Sequence, residues 1–224
     1  MTKTYGRSRD SVIRWPTDPV AREALESYLD KLSAESPATL TVDSLLPADR
    51  LNMAGADLSG LELQEASLNE ANLSRVRLVE ADLYQAWMMS ADISNADLTR
   101  ADLRKVQGRG SNASDAVLLE SQLQGAVFES SDFRGTDFSG ANLLDASFPD
   151  SDLRGANFSN CRFGWTDFSD SRLGDCIVTD AVGMILGPID VGTTAVQILG
   201  GADLKAWFAA HGAPEVDVYI PPQN

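Results

Sequence analysis

Two cysteines and one histidine in 224 residues leave no basis for a disulfide framework or for a histidine-built metal or acid–base centre. Basic side chains are also scarce: 18 Lys and Arg stand against 33 Asp and Glu, for a net charge of −15 and a pI near 4.3. Phosphates repel such a chain, which argues against direct contact with nucleic acid or an anionic membrane and for a basic partner, such as a protein surface that itself handles nucleic acid. The plain alternative is that the charge serves solubility alone. No apolar run is long enough to span a bilayer, and residues 1–20 lack the apolar core of a secretory signal. The expectation is a cytoplasmic protein without membrane contact.

What the sequence has in abundance is self-similarity. Read in fives from Ala56 it runs ADLSG, LELQE, ASLNE, ANLSR, VRLVE, ADLYQ, and it resumes after a weak patch as SDFRG, TDFSG, ANLLD and onward. Of the 25 central positions from Leu58 to Val178, 23 are Leu, Ile, Met, Phe or Val, the exceptions being Gly108 and Ala113. Of the 25 positions two residues earlier, 22 are Ala, Ser, Thr or Cys, the exceptions being Leu61, Val76 and Val106. A period of five fits neither an amphipathic helix nor a simple strand. It fits a coil in which every five residues make one side and turn a corner, with the bulky residue and the small one two before it both facing a narrow interior.

This pattern resembles the pentapeptide-repeat family, with consensus A(D/N)LXX, over roughly residues 51–182. The resemblance implies an all-β fold: a right-handed quadrilateral β-helix with 20 residues per coil, here about six and a half coils and roughly 30 Å of rod at the usual ~4.8 Å strand spacing. A solenoid must close both ends. Residues 1–50 are expected to form an N-terminal cap with one helix over about 19–33, N-capped by Asp18 ahead of Pro19, then a short extended piece at 39–42 and entry into the coil near Leu51. Residues 183–224 are expected to form a small mixed C-terminal cap, with extended pieces at 184–191 and 216–220 and a helix at about 202–210. Trp207 and Phe208 are its large residues. In the family such segments often build a dimer interface, so a homodimer through this segment and a monomeric lid stand as two readings.

Two irregularities interrupt the rod. Residues 105–114 keep the count of five but place Gly108 and Ala113 at central positions; an interior glycine would leave a costly void, so a surface loop is the preferred reading, with Arg109 as a candidate contact. Tyr84, Trp87 and Met89 fall at outward positions. Either they anchor a partner or the N-terminal helix covers them, and the need to bury the helix's apolar stripe favours cover.

Charge follows the rod: residues 51–182 carry −11, residues 1–50 carry −1 and residues 183–224 carry −3. With 20 residues per coil, carboxylates stack in columns. The candidate partner-binding residues are Asp92, Asp132 and Asp152 in one column, Asp57, Asp97 and Asp137 in a second, and Asp82 and Asp102 in a third. The fourth column, Ser67, Trp87, Gln107, Val127, Ser147 and Asp167, is nearly neutral. An Asp before the central residue belongs to the repeat consensus and can bond local backbone, so each one taken singly has a structural reading too. Corner residues such as Glu65, Glu70, Glu80, Asp145, Asp150, Asp170 and Asp175 add acid that the consensus does not require.

No catalytic constellation stands out. His211 ends the C-terminal helix, where it suits the helix dipole, and Cys161 and Cys176 occupy small inward positions. Neither a phosphate-binding loop nor an enclosed carboxylate pair is present in the pattern, and no cofactor or metal is expected. The resemblance is to the quinolone-resistance type of pentapeptide-repeat protein. It implies a DNA mimic that binds DNA gyrase or a related type II topoisomerase and protects it from poisons. The competing readings are a protein-interaction scaffold with a different partner and a purely structural rod.

Overall fold

A computed structural model describes residues 4–34 and 45–219. Its body is a four-sided β-helix. The residue before each central position pairs in parallel with the residue 20 further on. One column runs Asn52, Asn72, Asp92, Asn112, Asp132, Asp152, Arg172, and three others start at Asp57, Glu62 and Pro47. Where bridges lengthen into strands, β1 (Asn142–Leu144) pairs with β2 (Arg162–Gly164) in the same register.

The corners explain why five residues make a side. The residue after each central position begins a turn whose next residue has a positive φ, 54° at Glu65 and 70° at Gly60, and the following amide closes back on the central carbonyl, as Ala66 N does on Leu63 O at 3.2 Å. This is the hydrogen-bond pattern of a type II turn. Twenty non-glycine residues accept this left-handed conformation, which costs about 1–2 kcal/mol each. Most also donate their amide to the next coil, as Glu65 N does to Tyr84 O at 2.8 Å, so the same turn that strains the backbone extends the ladder.

Inside, the central side chains are buried throughout, with Leu, Met and Ile in the first coils and mostly Phe between 128 and 168. Rings stack along the axis: Phe128 on Phe148 at 5.8 Å, Phe148 on Phe168 at 5.6 Å, Phe138 on Phe158 at 5.0 Å. The expected loop at residues 105–114 does not form. Gln107 pairs with both Trp87 and Val127, Asn112 pairs with both Asp92 and Asp132, and the chain stays in register. The reason lies one coil ahead. A Cβ at Gly108 would lie inside 3.0 Å of Cδ1 and Cε1 of Phe128, so the ring fills the space a central side chain would take. Gly108 and Ala113 sit directly before Phe128 and Phe133 in their columns, where narrow leucine coils give way to bulky phenylalanine coils. The glycine does not leave a void; it admits a ring.

Small interior polar groups are satisfied within the wall. In the column Ser111, Ser131, Ser151, Ser171, the Ser151 hydroxyl donates to Phe128 O at 2.8 Å and accepts from Ser131 N at 3.1 Å. Cys161 and Cys176 occupy equivalent inward sites, and burial pushes both thiols up to about 12.

At the start of the chain, residues 4–15 form an arm. Gly6 pairs in parallel with Leu61 and Arg14 in antiparallel with Asp57. The helix α1 (Pro19–Ala34) follows, its first amides Val20 N and Ala21 N bonded to Asp18 Oδ1 at 3.0 and 2.9 Å. It buries Ala21, Leu25, Tyr28, Leu29 and Leu32, and the Tyr28 hydroxyl donates to Glu62 O at 2.6 Å. The first bridge of the coil is Pro47 to Ser67, slightly before the expected entry. The extended piece expected at 39–42 lies outside the described residues.

At the far end, β3 (Thr166–Asp167) pairs with β5 (Gly183–Leu186), which pairs with β8 (Val216–Val218); β4 (Ser171–Arg172) pairs with β6 (Ile189–Asp190), which pairs with β7 (Ile198–Leu199). Between β7 and β8 the helix α2 (Gly201–Ala210) buries Leu204 and Phe208. His211 caps it, Nδ1 2.7 Å from Trp207 O and its ring stacked on Trp207 at 4.0 Å.

Candidate functional site

All eight aspartates singled out from the sequence make the same local bond: one carboxylate oxygen accepts the amide two residues on. The distances run from 2.9 Å at Asp137 to 3.3 Å at Asp57 and Asp152. Each therefore shapes the corner that follows it, which is the structural reason for Asp or Asn at this position. What remains of each charge depends on its neighbours, and the eight divide into three groups.

Asp57, Asp82 and Asp102 are buried, with 8%, 3% and 9% of their surface exposed. Burial raises the pKa of Asp82, against bonds from Tyr84 N and Gln64, and burial likewise raises that of Glu62 below it in the column. Asp132 and Asp152 are claimed by arginine forks. Arg134 and Arg154 each bond both oxygens of the aspartate two residues before, Nη2 to Oδ2 at 2.6 and 2.5 Å. The Arg134 bond lowers the pKa of Asp132; at Asp152 burial pushes upward, but the Arg154 bonds outweigh it and the result is also a lowered value. Asp102 belongs to this group as well, forked by Arg104. Asp92, Asp97 and Asp137 are left partly exposed; the one cation near Asp97 among the described residues is Arg77, at 3.8 Å. Arg109 is held by Glu129 at 3.1 Å.

The least encumbered carboxylates are at the corners. Asp145, Asp150, Asp170, Asp175 and Asp180 are all exposed, all at φ between 55° and 60°, and none makes a salt bridge among the described residues. Among corner acids of the first coils, Arg50 bonds Glu70 at 2.9 Å and Arg100 bonds Glu80 at 2.9 Å, while Glu65 is exposed with no salt bridge among the described residues. Net negative charge is thus displayed toward the C-terminal half of the rod. Four of these five, all but Asp180, are among the corner acids that the repeat consensus does not require.

The rod carries the sequence signature along most of its length. The profile of the pentapeptide repeats matches eight copies over residues 52–88, 91–129 and 131–170, together just over half of the 224 residues. The chain belongs to the pentapeptide-repeat family. Proteins of this family fold as right-handed β-helices, which fixes the hand of the four-sided coil. No curated protein matches the sequence. Among solved structures, this pentapeptide-repeat protein is similar to HetL, involved in heterocyst differentiation regulation in the cyanobacterium Nostoc sp. strain PCC 7120. That match has 21% identity over 78% of this chain and 87% of HetL, with a TM-score of 0.32. It is similar to full-length QnrB1, a plasmid-mediated fluoroquinolone resistance protein, at 22% identity over 60% of this chain and 80% of QnrB1, with a TM-score of 0.30. A third likeness is to a pentapeptide repeat protein of the Arabidopsis thaliana thylakoid lumen, at 20% identity over 72% and 81% of the chains, with a TM-score of 0.24.

The nearly neutral side of this pentapeptide-repeat rod holds the main exposed apolar feature of its middle. The expected cover by α1 is not observed: the helix packs at Glu62, and Trp87 and Met89 remain 48% and 40% exposed. The apolar stripe of α1 is buried against the first coils instead, so it has none left for Trp87. Tyr84 is partly buried beneath the cations of Arg104 and Lys105, 5.3 and 5.6 Å from its ring. Phe208 is fully buried under α2 and Trp207 partly so. No cluster of metal-ligating side chains occurs among the described residues, and none of their helices is long and apolar enough to cross a membrane.

Proposed function

We propose that this pentapeptide-repeat protein is a binding protein whose acidic rod acts as a DNA mimic toward the basic DNA-binding surface of DNA gyrase or a related type II topoisomerase, protecting it from poisons. The observation that carries the reading is the set of exposed carboxylates without a salt bridge among the described residues, Asp145, Asp150, Asp170, Asp175 and Asp180, spread over the four corners of the last coils, with Asp150 and Asp170 stacked in one column and coils ~4.8 Å apart. Duplex DNA places one charge per ~1.7 Å of axis, and carboxylates carried around a rod offer a basic groove charge of the same sign. The rod is the binding element, with residues 1–50 and 183–224 closing its ends. In the C-terminal segment, β7 and β8 end their sheets and Val196 and Ile198 are exposed, which suits pairing with a second copy.

A second reading, an interaction scaffold with another partner, is favoured by the exposed Trp87 and Met89, of which Trp87 lines a depression together with Leu45, Leu46 and Pro47.

The test is a gyrase supercoiling assay with and without a fluoroquinolone, comparing the wild type with D150N/D170N/D175N. Asparagine tolerates the left-handed conformation these corners require, so the variant removes charge and keeps the fold. The mimic reading expects the wild type to alter supercoiling or drug sensitivity and the triple variant to lose most of that effect. Gyrase activity indifferent to the wild type at every concentration rejects it and leaves the scaffold.

A further inference from the structure

We propose that the N-terminal arm is an autoinhibitory cover: its Arg7 occupies an acidic column of the rod, and a basic partner gains that column by displacing the arm. This rests on the reading of the rod as a binder of basic surfaces and adds how access to it is controlled.

The only carboxylates buried among the described residues are Asp57, Glu62, Asp82 and Asp102, and they lie where the arm crosses the first coils. Arg14 pairs with Asp57 through two backbone bonds, at 2.8 and 3.2 Å. Arg7 Nε stands 3.3 Å from Glu62 Oε2. Tyr5 lies close enough to Asp82 and Asp102 that, after burial, their charges help raise its hydroxyl to about 12. The arm thus presents to the rod a backbone in bridge register with one arginine, Arg7, set against the acidic column.

The attachment is weak by construction. Gly6 N to Gly60 O and Glu62 N to Gly6 O, at 2.8 and 3.0 Å, are the two backbone bonds that hold the tip. Val12 and the partly buried Trp15 secure the far end of the arm, whereas no side chain of the tip, from Thr4 to Arg7, is fully buried. Arg7 Nε and Nη2 are shut off from solvent with no well-formed hydrogen bond, and Glu62 is held near them with its charged form disfavoured by burial. Desolvated donors left imperfectly paired cost free energy that release to water returns. Arg9 is fastened the other way, to Asp30 at 2.7 Å and Glu26 at 3.0 Å on α1. The tip can therefore leave Glu62, Asp82 and Asp102 while the rest of the arm stays docked on α1.

Hydrogen exchange on the full chain tests this, with nona-arginine as the basic probe. The amides of Gly6 and Glu62 report the tip directly, and Leu63 N, bonded to Asp82 O within the rod, is the internal reference. Saturating nona-arginine should speed exchange of Gly6 and Glu62 at least about tenfold and leave Leu63 unchanged. Arg7→Gln should do the same without probe and bind nona-arginine more tightly than Arg162→Gln, an equal charge change at an exposed site remote from the arm. Failure of nona-arginine to bind, binding with Gly6 and Glu62 unchanged, or equal affinities of the two variants would overturn the proposal. Exchange reads the arm without any topoisomerase, so a gyrase result can fail while the arm moves, and the reverse.

Discussion

Gly108 can be turned from an anomaly into a measurement. It has no positive φ that would demand glycine, so Gly108→Ala adds no backbone strain and tests packing alone. The added Cβ meets the Phe128 ring, which is held from the other side by Phe148 stacked at 5.8 Å and by the edge of Phe133 at 5.1 Å. With the ring unable to retreat, overpacking should cost about 1–3 kcal/mol. Phe128→Leu alone opens space and should cost roughly 1–2 kcal/mol, less than the 3–5 of a full truncation to alanine. Combined, the smaller Leu side chain leaves room for the added Cβ, so each change relieves the strain or void of the other. The double variant should therefore be more stable than the sum of the singles by at least about 1 kcal/mol. Urea unfolding of all four proteins at matched m-values gives the cycle. Additivity within about 0.5 kcal/mol would show that Gly108 and Phe128 do not share one space, and the account of how the rod changes core type would fail.

Further outcomes follow from the same geometry. Ser151→Ala should lose about 1–3 kcal/mol in thermal or urea unfolding, because Ser131 N and Phe128 O lose their bonds to that hydroxyl. Asp82 and Glu62 have raised pKa values in the folded state. Protons bind the native form more tightly there, so stability present below the ordinary carboxylate range is lost as pH rises through the raised values. Asp82→Asn should accordingly stabilise the protein at pH 7 and make no difference below about pH 3; a loss at pH 7 would contradict the burial argument. Asp132 has the opposite shift, and the stability its Arg134 fork contributes above the ordinary carboxylate range should fade on acidification, an effect absent in Arg134→Gln and visible as a smaller acid-induced drop in melting temperature.

The β-helix was legible because its determinants are periodic. A bulky side chain every fifth residue and a small one two before it express the interior directly, and the aspartate between them expresses the corner bond. The caps were legible where local chemistry is strong, as at Asp18 for α1. The error at 105–114 has a clear origin: treating Gly108 as an empty position considers one coil, whereas the residue that fills it, Phe128, lies 20 positions away. Trp87 was misjudged for a similar reason, since the stripe of α1 shows that it must be covered but not by what. The candidate acids were harder still. Sequence spacing groups Asp82, Asp132 and Asp92 alike, and only the arm, the arginine forks and their absence separate a buried, a neutralised and an available carboxylate.

Equilibrium binding of the intact protein to DNA gyrase, titrated with duplex DNA at about 50 and 200 mM salt, addresses the mimic reading most directly. Competition by DNA and an affinity that falls steeply between the two salt concentrations are the predicted results. Binding that DNA does not displace, or no binding at the lower salt, would contradict it.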